Sequence, residues 1–488
     1  MSTLDTEPTT DGIAKRAQGS TWVAARPGLA DAVAEWEATL LDERATLDLH
    51  ATRLARPGPV PPARVTRHLV ALQAGQLRWA LQRLPRDIAG GLRPAREPAT
   101  WLKESIAYIV REQLSLLGPA AAEVARIIDA SEGLAPGVIV DELRRRPVQA
   151  EPLSLRSVET VVRSALGERV GRIVAGPLSV TPITQLHRAE LADGTSAFVR
   201  ARRPGVRVAA RADARITAVM VAPFERLFPA MREAHPLGFV ELAARQLLEE
   251  LDLRHDALNT VELGLVVEAL DRPGIVLCRP IPGLVAARAV ATEGMDGAVP
   301  LDRGANRLEL DAVVAGLVAV TAEAALTNGV FHADLRPEHL LALPDGRVVV
   351  AGCGTIGRLE PPIRRAAIDY LAAVLGGDYE GQVAAMRDTG AVPDDVDVDA
   401  LVADLRSSAA LDPMTILAGG EVSLLAALRE AMDLLLRHRL RPPLEVVLLV
   451  RSLFALRSLL ATVAPERSLL DALFPLIARL PELRAADR

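Results

Sequence analysis

Apolar residues recur at three- and four-residue intervals through residues 28–56 (GLADAVAEWEATLLDERATLDLHATRLAR), a spacing that predicts one long helix ending at the breaker PGPVPP, residues 57–62. A second helix is predicted from Ala63 to about Leu84, and helical periodicity continues from roughly 105 to 165. The pattern then changes. Short β-type runs occupy Val170 to Gly297: GPLSV, QLHRAELADG, SAFVRARRPG, GIVLCRPI and AVATEGM, with Asp193-Gly194 between two alternating runs as a hairpin signal. One helical stretch, PLGFVELAARQLLEELDLRHDALNTVEL, interrupts them. From Leu301 onward helices return, broken by a single β excursion, HLLALPDGRVVVAGCG. The order predicts an α+β, predominantly helical chain in two lobes, a small sheet lobe and a helical lobe, behind an N-terminal helical extension. The expected divisions are 1–24, 25–104, 105–165, 166–297 and 298–488.

At 488 residues, 50% of them hydrophobic and 24% charged, the chain is an ordered globular protein too large for one core. Its polar start, MSTLDTEPTTDG, predicts disorder through about residue 24 and lacks the regions of a signal peptide. Two cysteines, Cys278 and Cys353, exclude a disulfide framework or a cysteine-rich zinc site and fit a reducing cytoplasm. The formal charge of −6 gives no reason to expect nucleic-acid binding. Local charge differs: residues 53–96 hold nine arginines against Asp87 alone, with Val65, Leu69, Leu72, Leu77, Trp79 and Leu81 interleaved. Such a helix either packs on a neighbour or lies peripherally on an anionic membrane, here the inner face. The most apolar stretch, LEVVLLVRSLFALRSLLATV, carries Arg451 and Arg457 and is expected as a buried helix, not a span.

The segment GVFHADLRPEHLLALPDGRVVVAGCG, residues 329–354, resembles the catalytic loop, hairpin and metal-binding turn of the AarF/UbiB family of atypical kinase-fold proteins, which reads FFHADPHPGN and then LDFG. His332, Ala333, Asp334 and Pro337 match; His339 stands at the asparagine position and Gly352 at the metal aspartate. PLSVTPITQLHRAELADGTSAFVRARRPGV resembles the family's alanine-rich loop and lysine strand, with Gln185, His187 and Arg188 kept and the lysine replaced by Arg200. ELDLRHDALN, residues 250–259, is similar to the family's ELDxxxEAxN helix motif and offers Glu250 or Asp256 as a partner for Arg200. The family's K-x-G-Q signature falls on Glu123, Val124, Ala125 and Arg126, with its three defining residues gone. The resemblance covers about residues 105–475 and implies a protein-kinase-like fold with the hinge at TEGMDG, where Glu293 and Met295 would present backbone groups to an adenine.

Phosphoryl transfer relies on a strand lysine, a loop aspartate as base, and asparagine and aspartate ligands for magnesium. Only the base position, Asp334, and its neighbour His332 survive, and no lysine follows Lys103. Arginine keeps a charge but not a lysine's shape, and glycine binds no metal. The residues therefore point to a pseudokinase that acts by binding ATP, ADP or a partner, with Arg200, Glu250, Asp256, Glu293, Met295 and Gln185 as nucleotide contacts. No Mg2+ site and no resident metal are expected. A weak, metal-poor ATPase using Asp334 and His339 and a ligand-free scaffold are the alternatives. The resemblance implies a partner in isoprenoid-quinone or membrane-lipid metabolism.

Overall fold

The computed structural model describes residues 12–486 apart from 55, 57, 84–97, 130–136, 149, 228–240, 242–243, 246, 413–425, 428–429, 432 and 436. Residues 1–11 of the expected disordered start, the first turns of PLGFVELAARQ, and Arg86, Arg93 and Arg96 of the basic region lie outside the described residues. The strands of the first half are β1 (Val170–Ile173), β2 (Ser179–Val180), β3 (Thr184–Leu191), β4 (Ser196–Arg202), β5 (Ile275–Leu277), β6 (Pro280–Ala286), β7 (Ala289–Glu293) and β8 (Val299–Pro300). They are followed by β9 (Val330–His332), β10 (Leu340–Ala342), β11 (Val348–Val350) and β12 (Ile356–Arg358).

Alternation along β3 and β4 builds the small lobe. The predicted Asp193-Gly194 turn joins them, with Gly194 at φ +84° and the Thr195 N–H donating to Asp193 Oδ1 at 2.9 Å. The antiparallel order β1-β3-β4-β7-β6, with β2 beside β3, gives a sheet whose one face packs Ala197, Val199 and Ala201 against Val158, Val161 and Val162 of the helix Leu155–Leu166. The other face carries Phe198 and Arg200 toward the second lobe, because side chains two apart share a face. The run GIVLCRPI does not stay in one sheet. Ile275–Leu277 leaves to pair in parallel with β11, completing the order β5-β11-β10-β8, and Pro280 onward returns to the small lobe. The break comes at Cys278-Arg279, between a run buried under the large lobe's helices and one that faces Leu155–Leu166.

The large lobe closes around Val313, Leu317, Val320, Leu335, Val348, Ile368, Leu456 and Leu460. The result is the expected two-lobed, mostly helical, kinase-like fold. Three sequence expectations are corrected, the first being a single helix within the sheet lobe: Val206–Leu227 is a second. Residues 13–24 are not disordered: they form the helices Ile13–Gln18 and Thr21–Ala24, burying Ile13, Ala17 and Val23 against Leu29, Val33 and Val261. Among the described residues two helices, Leu310–Thr327 and Leu444–Val463, also have the length and hydropathy of a membrane span. The first is 72% buried in the large lobe, as a core helix is, whereas the second is 33% buried, less than the sequence reading expected.

Gly274 fixes the approach of β5 to the helix Leu310–Val318, since a Cβ there would lie 2.2 Å from the Ala312 carbonyl oxygen. Backbone cannot rotate out of the way as a side-chain tip can. Gly274→Ala is expected to cost about 2 kcal/mol or more, read as a lowered urea midpoint with unchanged m.

Candidate functional site

The site is assembled where the inner face of β4, the start of the helix Leu253–Leu270 and the turns around β9 to β12 meet. Arg200 is 6% exposed, so every donor must find an acceptor inside the protein. Its Nη2 donates to the Ala351 carbonyl, its Nη1 to Thr184 Oγ1 at 3.2 Å, and its Nε lies 3.4 Å from Asp256 Oδ2. Of the two acids the sequence offered, Asp256 is the partner. Its other oxygen accepts the Cys353 N–H at 2.8 Å, while Asn259 Nδ2 donates to the Cys353 carbonyl at 2.9 Å. One turn of helix thus holds both the arginine and the turn that would carry a metal aspartate. A Cβ on Gly352 would sit 2.9 Å from Arg200 Nη2 and 3.3 Å from His339 Cδ2. The guanidinium fills the room a carboxylate at position 352 would need.

The antiparallel pairing of β9 with β12 sets His332 opposite Ile356 and beside this turn. The Asp334 N–H donates to His332 Nδ1 at 3.2 Å, so the ring proton lies on Nε2, which donates to the Gly352 carbonyl at 2.7 Å. His339 Nδ1 faces the Asp334 carbonyl at 2.9 Å and so carries its proton there. Burial lowers the pKa of both rings, that of His339 far below the ordinary histidine value with Arg126 adding to the effect; both are neutral.

Asp334 is caged. Arg126 Nη1 contacts Oδ2 at 2.7 Å, Arg336 Nε contacts Oδ1 at 2.9 Å, and Arg451 Nη2 approaches Oδ1 at 3.6 Å. Burial raises the proton affinity of this carboxyl, yet the three arginines outweigh it and hold the pKa well below the usual carboxylate range. A carboxylate so stabilised is a weak base. Arg126 comes from the helix Pro119–Asp129, which starts where Gly118 takes φ +96° and Pro119 occupies the first helical turn. Its guanidinium also grips Glu123 and lies 3.2 Å from Glu250 Oε2, and Arg336 Nη2 donates to the Arg126 carbonyl at 2.9 Å. Glu250 accepts the Thr355 hydroxyl at 2.5 Å instead of bracing Arg200.

Sequence reasoning missed Arg126, Arg336 and Arg451. Arg126 falls on the lost signature, and the Glu-x-x-Arg pair within the otherwise apolar run AAAEVARII is the signal that marks it. Arg451, which in the sequence only disfavours a membrane span, is 5% exposed and directed at Asp334. Gln185 does not join the group: it pairs across the sheet with Ala201, so its side chain takes the face opposite Arg200 and bonds Leu153 and His187. Glu293 and Met295 lie at the junction between lobes. The Glu293 carboxylate is held by Arg279 at 2.8 Å, its N–H donates to the Arg279 carbonyl, and Met295 packs beside Phe198 and Leu341.

Residues 148–386 match the family model of the ABC1 atypical kinase-like domain. A probable protein kinase UbiB of Vibrio atlanticus is 24% identical over 392 residues, covering 77% of this chain and 71% of its own. The corresponding protein of Azotobacter vinelandii is 26% identical over 394 residues, 78% of this chain and 72% of its own. An uncharacterized chloroplastic aarF domain-containing protein kinase of Arabidopsis thaliana is 24% identical over 306 residues, 61% and 57% respectively. The fold is that of an atypical kinase-like protein. Residues 148–386 are an ABC1 atypical kinase-like domain, and the chain is a homologue of the AarF/UbiB proteins.

Glu123 supplies a pH signature. It is fully buried with no hydrogen-bond partner at Oε2, and burial pushes its carboxyl up to about 7. A raised acid contributes stability that is complete below its unfolded pKa, near 4.5, and is lost as pH rises through about 7. Glu123→Gln stays neutral throughout. The variant is expected to match the wild type near pH 5 and to exceed it at pH 8 by on the order of 1–3 kcal/mol in chemical denaturation. Equal destabilisation at both pH values would contradict this.

Proposed function

We propose that this chain is a pseudokinase-type member of its family, acting by nucleotide or partner binding and shape instead of phosphoryl transfer. The observation that carries the reading is the paired exchange at Arg200 and Gly352: the guanidinium occupies the space of the missing metal carboxylate and donates to Ala351 within the same turn. Asp334, saturated by arginines, supports the same conclusion, because a base must have lone pairs and proton affinity to spare. The resemblance implies that the partner belongs to isoprenoid-quinone or membrane-lipid metabolism. The test is a thermal-shift titration with ATP and ADP, with and without Mg2+. The expected result is a small or absent rise in Tm that magnesium does not enlarge. A rise of several degrees that requires Mg2+ would overturn the reading, and phosphate release abolished by Asp334→Asn would replace it with the weak-hydrolase alternative.

A peripheral membrane contact is the second proposal, supported by exposed Val65, Leu69, Val70, Leu77 and Leu81 on the helical run 62–83 and Leu102 and Ile106 on the adjacent helix Pro98–Leu117. Not every arginine of this region faces water. Arg64 forks onto Asp213 at 2.6 Å through both Nε and Nη2 and is a packing residue, whereas Arg78 stays exposed while its tip reaches Glu112 at 2.7 Å. The discriminating variant is therefore Leu69→Gln/Leu77→Gln. Wild-type chain is expected to co-sediment with anionic vesicles at low salt and less at high salt, and the double variant to lose most of that binding. Failure of the wild type to co-sediment at low salt would sink the membrane reading.

A further inference from the structure

The first described residues run as a strap along the helix Leu253–Leu270 and on to the junction between lobes. Glu37 caps the strap's first helix, accepting the Ile13 and Ala14 N–H groups at 2.7 Å each. Arg16 Nη2 meets Glu262 Oε1 at 2.8 Å, and Glu262 in turn holds Arg358, which donates to Asn259 Oδ1 at 3.0 Å. Trp22 fills a notch at Gly264, where a Cβ would lie 2.6 Å from the indole. The Trp22 carbonyl accepts from Arg279 Nε, the same arginine that pairs with Glu293 at the lobe junction, and Arg26 approaches Glu293 at 3.7 Å. Through these contacts one short segment fixes the spacing between the helix that holds Arg200 and the junction of the lobes.

The strap's central fastening is a single carboxylate. Glu268 accepts from Ser20 Oγ at 2.5 Å, from Thr21 Oγ1, and from the Trp22 N–H at 2.9 Å. Burial pushes this carboxyl up, but the hydrogen bonds from Ser20, Thr21 and Trp22 win and hold it below the ordinary range, so it is ionised. Ser20 is buried and caps Val23, whereas Thr21 is exposed to solvent with its hydroxyl against Glu268. The four-residue helix that Thr21 begins is too short to offset a second negative charge there.

We propose that Thr21 is a modification site at which phosphorylation releases the strap. A serine/threonine kinase would transfer the γ-phosphoryl group of a nucleoside triphosphate to Thr21 Oγ1. The Oγ1–P bond forms, the β–γ anhydride breaks, the diphosphate leaves, and the hydroxyl proton passes to the kinase's base. The resulting near-dianion stands against the Glu268 carboxylate, to which the Thr21 oxygen can no longer donate. The strap leaves, and Leu253–Leu270 is freed to move with Arg200. This holds whether or not the cleft takes a nucleotide.

The test uses the full chain and amide hydrogen exchange. In Thr21→Glu, amides of 13–24 and 262–268 should exchange roughly tenfold faster or more, while Thr21→Ala, which keeps the Ser20 and Trp22 contacts, changes them by less than about threefold. Thr21→Glu/Glu268→Gln should exchange no faster than Glu268→Gln alone, because the repulsion is gone. Wild-type protection in Thr21→Glu overturns the proposal. So does undiminished exposure in the double variant, which would trace the effect to bulk and not charge. Finally, a serine/threonine kinase chosen for activity on a peptide of residues 12–28 should phosphorylate Thr21 in the folded chain, read by peptide mass; modification of the peptide alone overturns the site.

Discussion

A carboxylate sealed from water must be neutralised where it stands, and Asp334 is neutralised by three arginines from three separate parts of the chain. Arg126 arrives from the extension helix, Arg336 from the loop itself and Arg451 from the helix Leu444–Val463. Opposite charges at 2.7 Å in a medium of low polarity attract strongly, but each has also surrendered its hydration, so the cluster is stable only when complete. Lifting the extension off the cleft would strand Asp334 and Glu123 together with Arg126. The extension, loop and C-terminal helix are consequently one electrostatic unit, and the cleft is shut by the groups that satisfy its own aspartate.

The opposite wall of the cleft follows the same logic with a different acceptor set. A lysine at position 200 would bring one compact charge, whereas the arginine reaches the Ala351 carbonyl, Thr184 and Asp256 through three nitrogens. That reach exists only because Gly352 offers no side chain. What reads along the sequence as two independent losses, a lysine and a metal aspartate, is in space one packed replacement.

The Arg200 wall hangs from the helix Leu253–Leu270. Asp256, Asn259 and Glu262, spaced three apart, present a polar face to the Cys353 turn and Arg358, and Glu268 fastens the strap that follows the helix outward. Wedging Trp22 into Gly264 and joining it to Arg279 and Glu293 couples this helix to the lobe junction. The position of the helix is therefore overdetermined, by hydrogen bonds on its inner side and by the strap on its outer side.

The sequence by itself determined the two lobes, the β3–β4 hairpin and the helix Leu253–Leu270. These are properties of period, turn chemistry and residue type: Asp193-Gly194 makes its turn locally, and Arg200 lies on β4 because alternation puts it there. It mistook the strap for disorder, since a mostly polar start, MSTLDTEPTTDG, precedes a segment whose apolar positions, Ile13, Ala17 and Val23, gain meaning only against Leu253–Leu270. Only the tertiary structure decided that Asp256 and not Glu250 pairs with Arg200, that Gln185 turns to the far face, and that Arg126, Arg336 and Arg451 converge on Asp334. Those partners are 2 to 208 positions apart in the chain. The range of a side-chain contact is a few ångströms, so such pairings are fixed by how the elements pack and leave no periodic trace in the sequence.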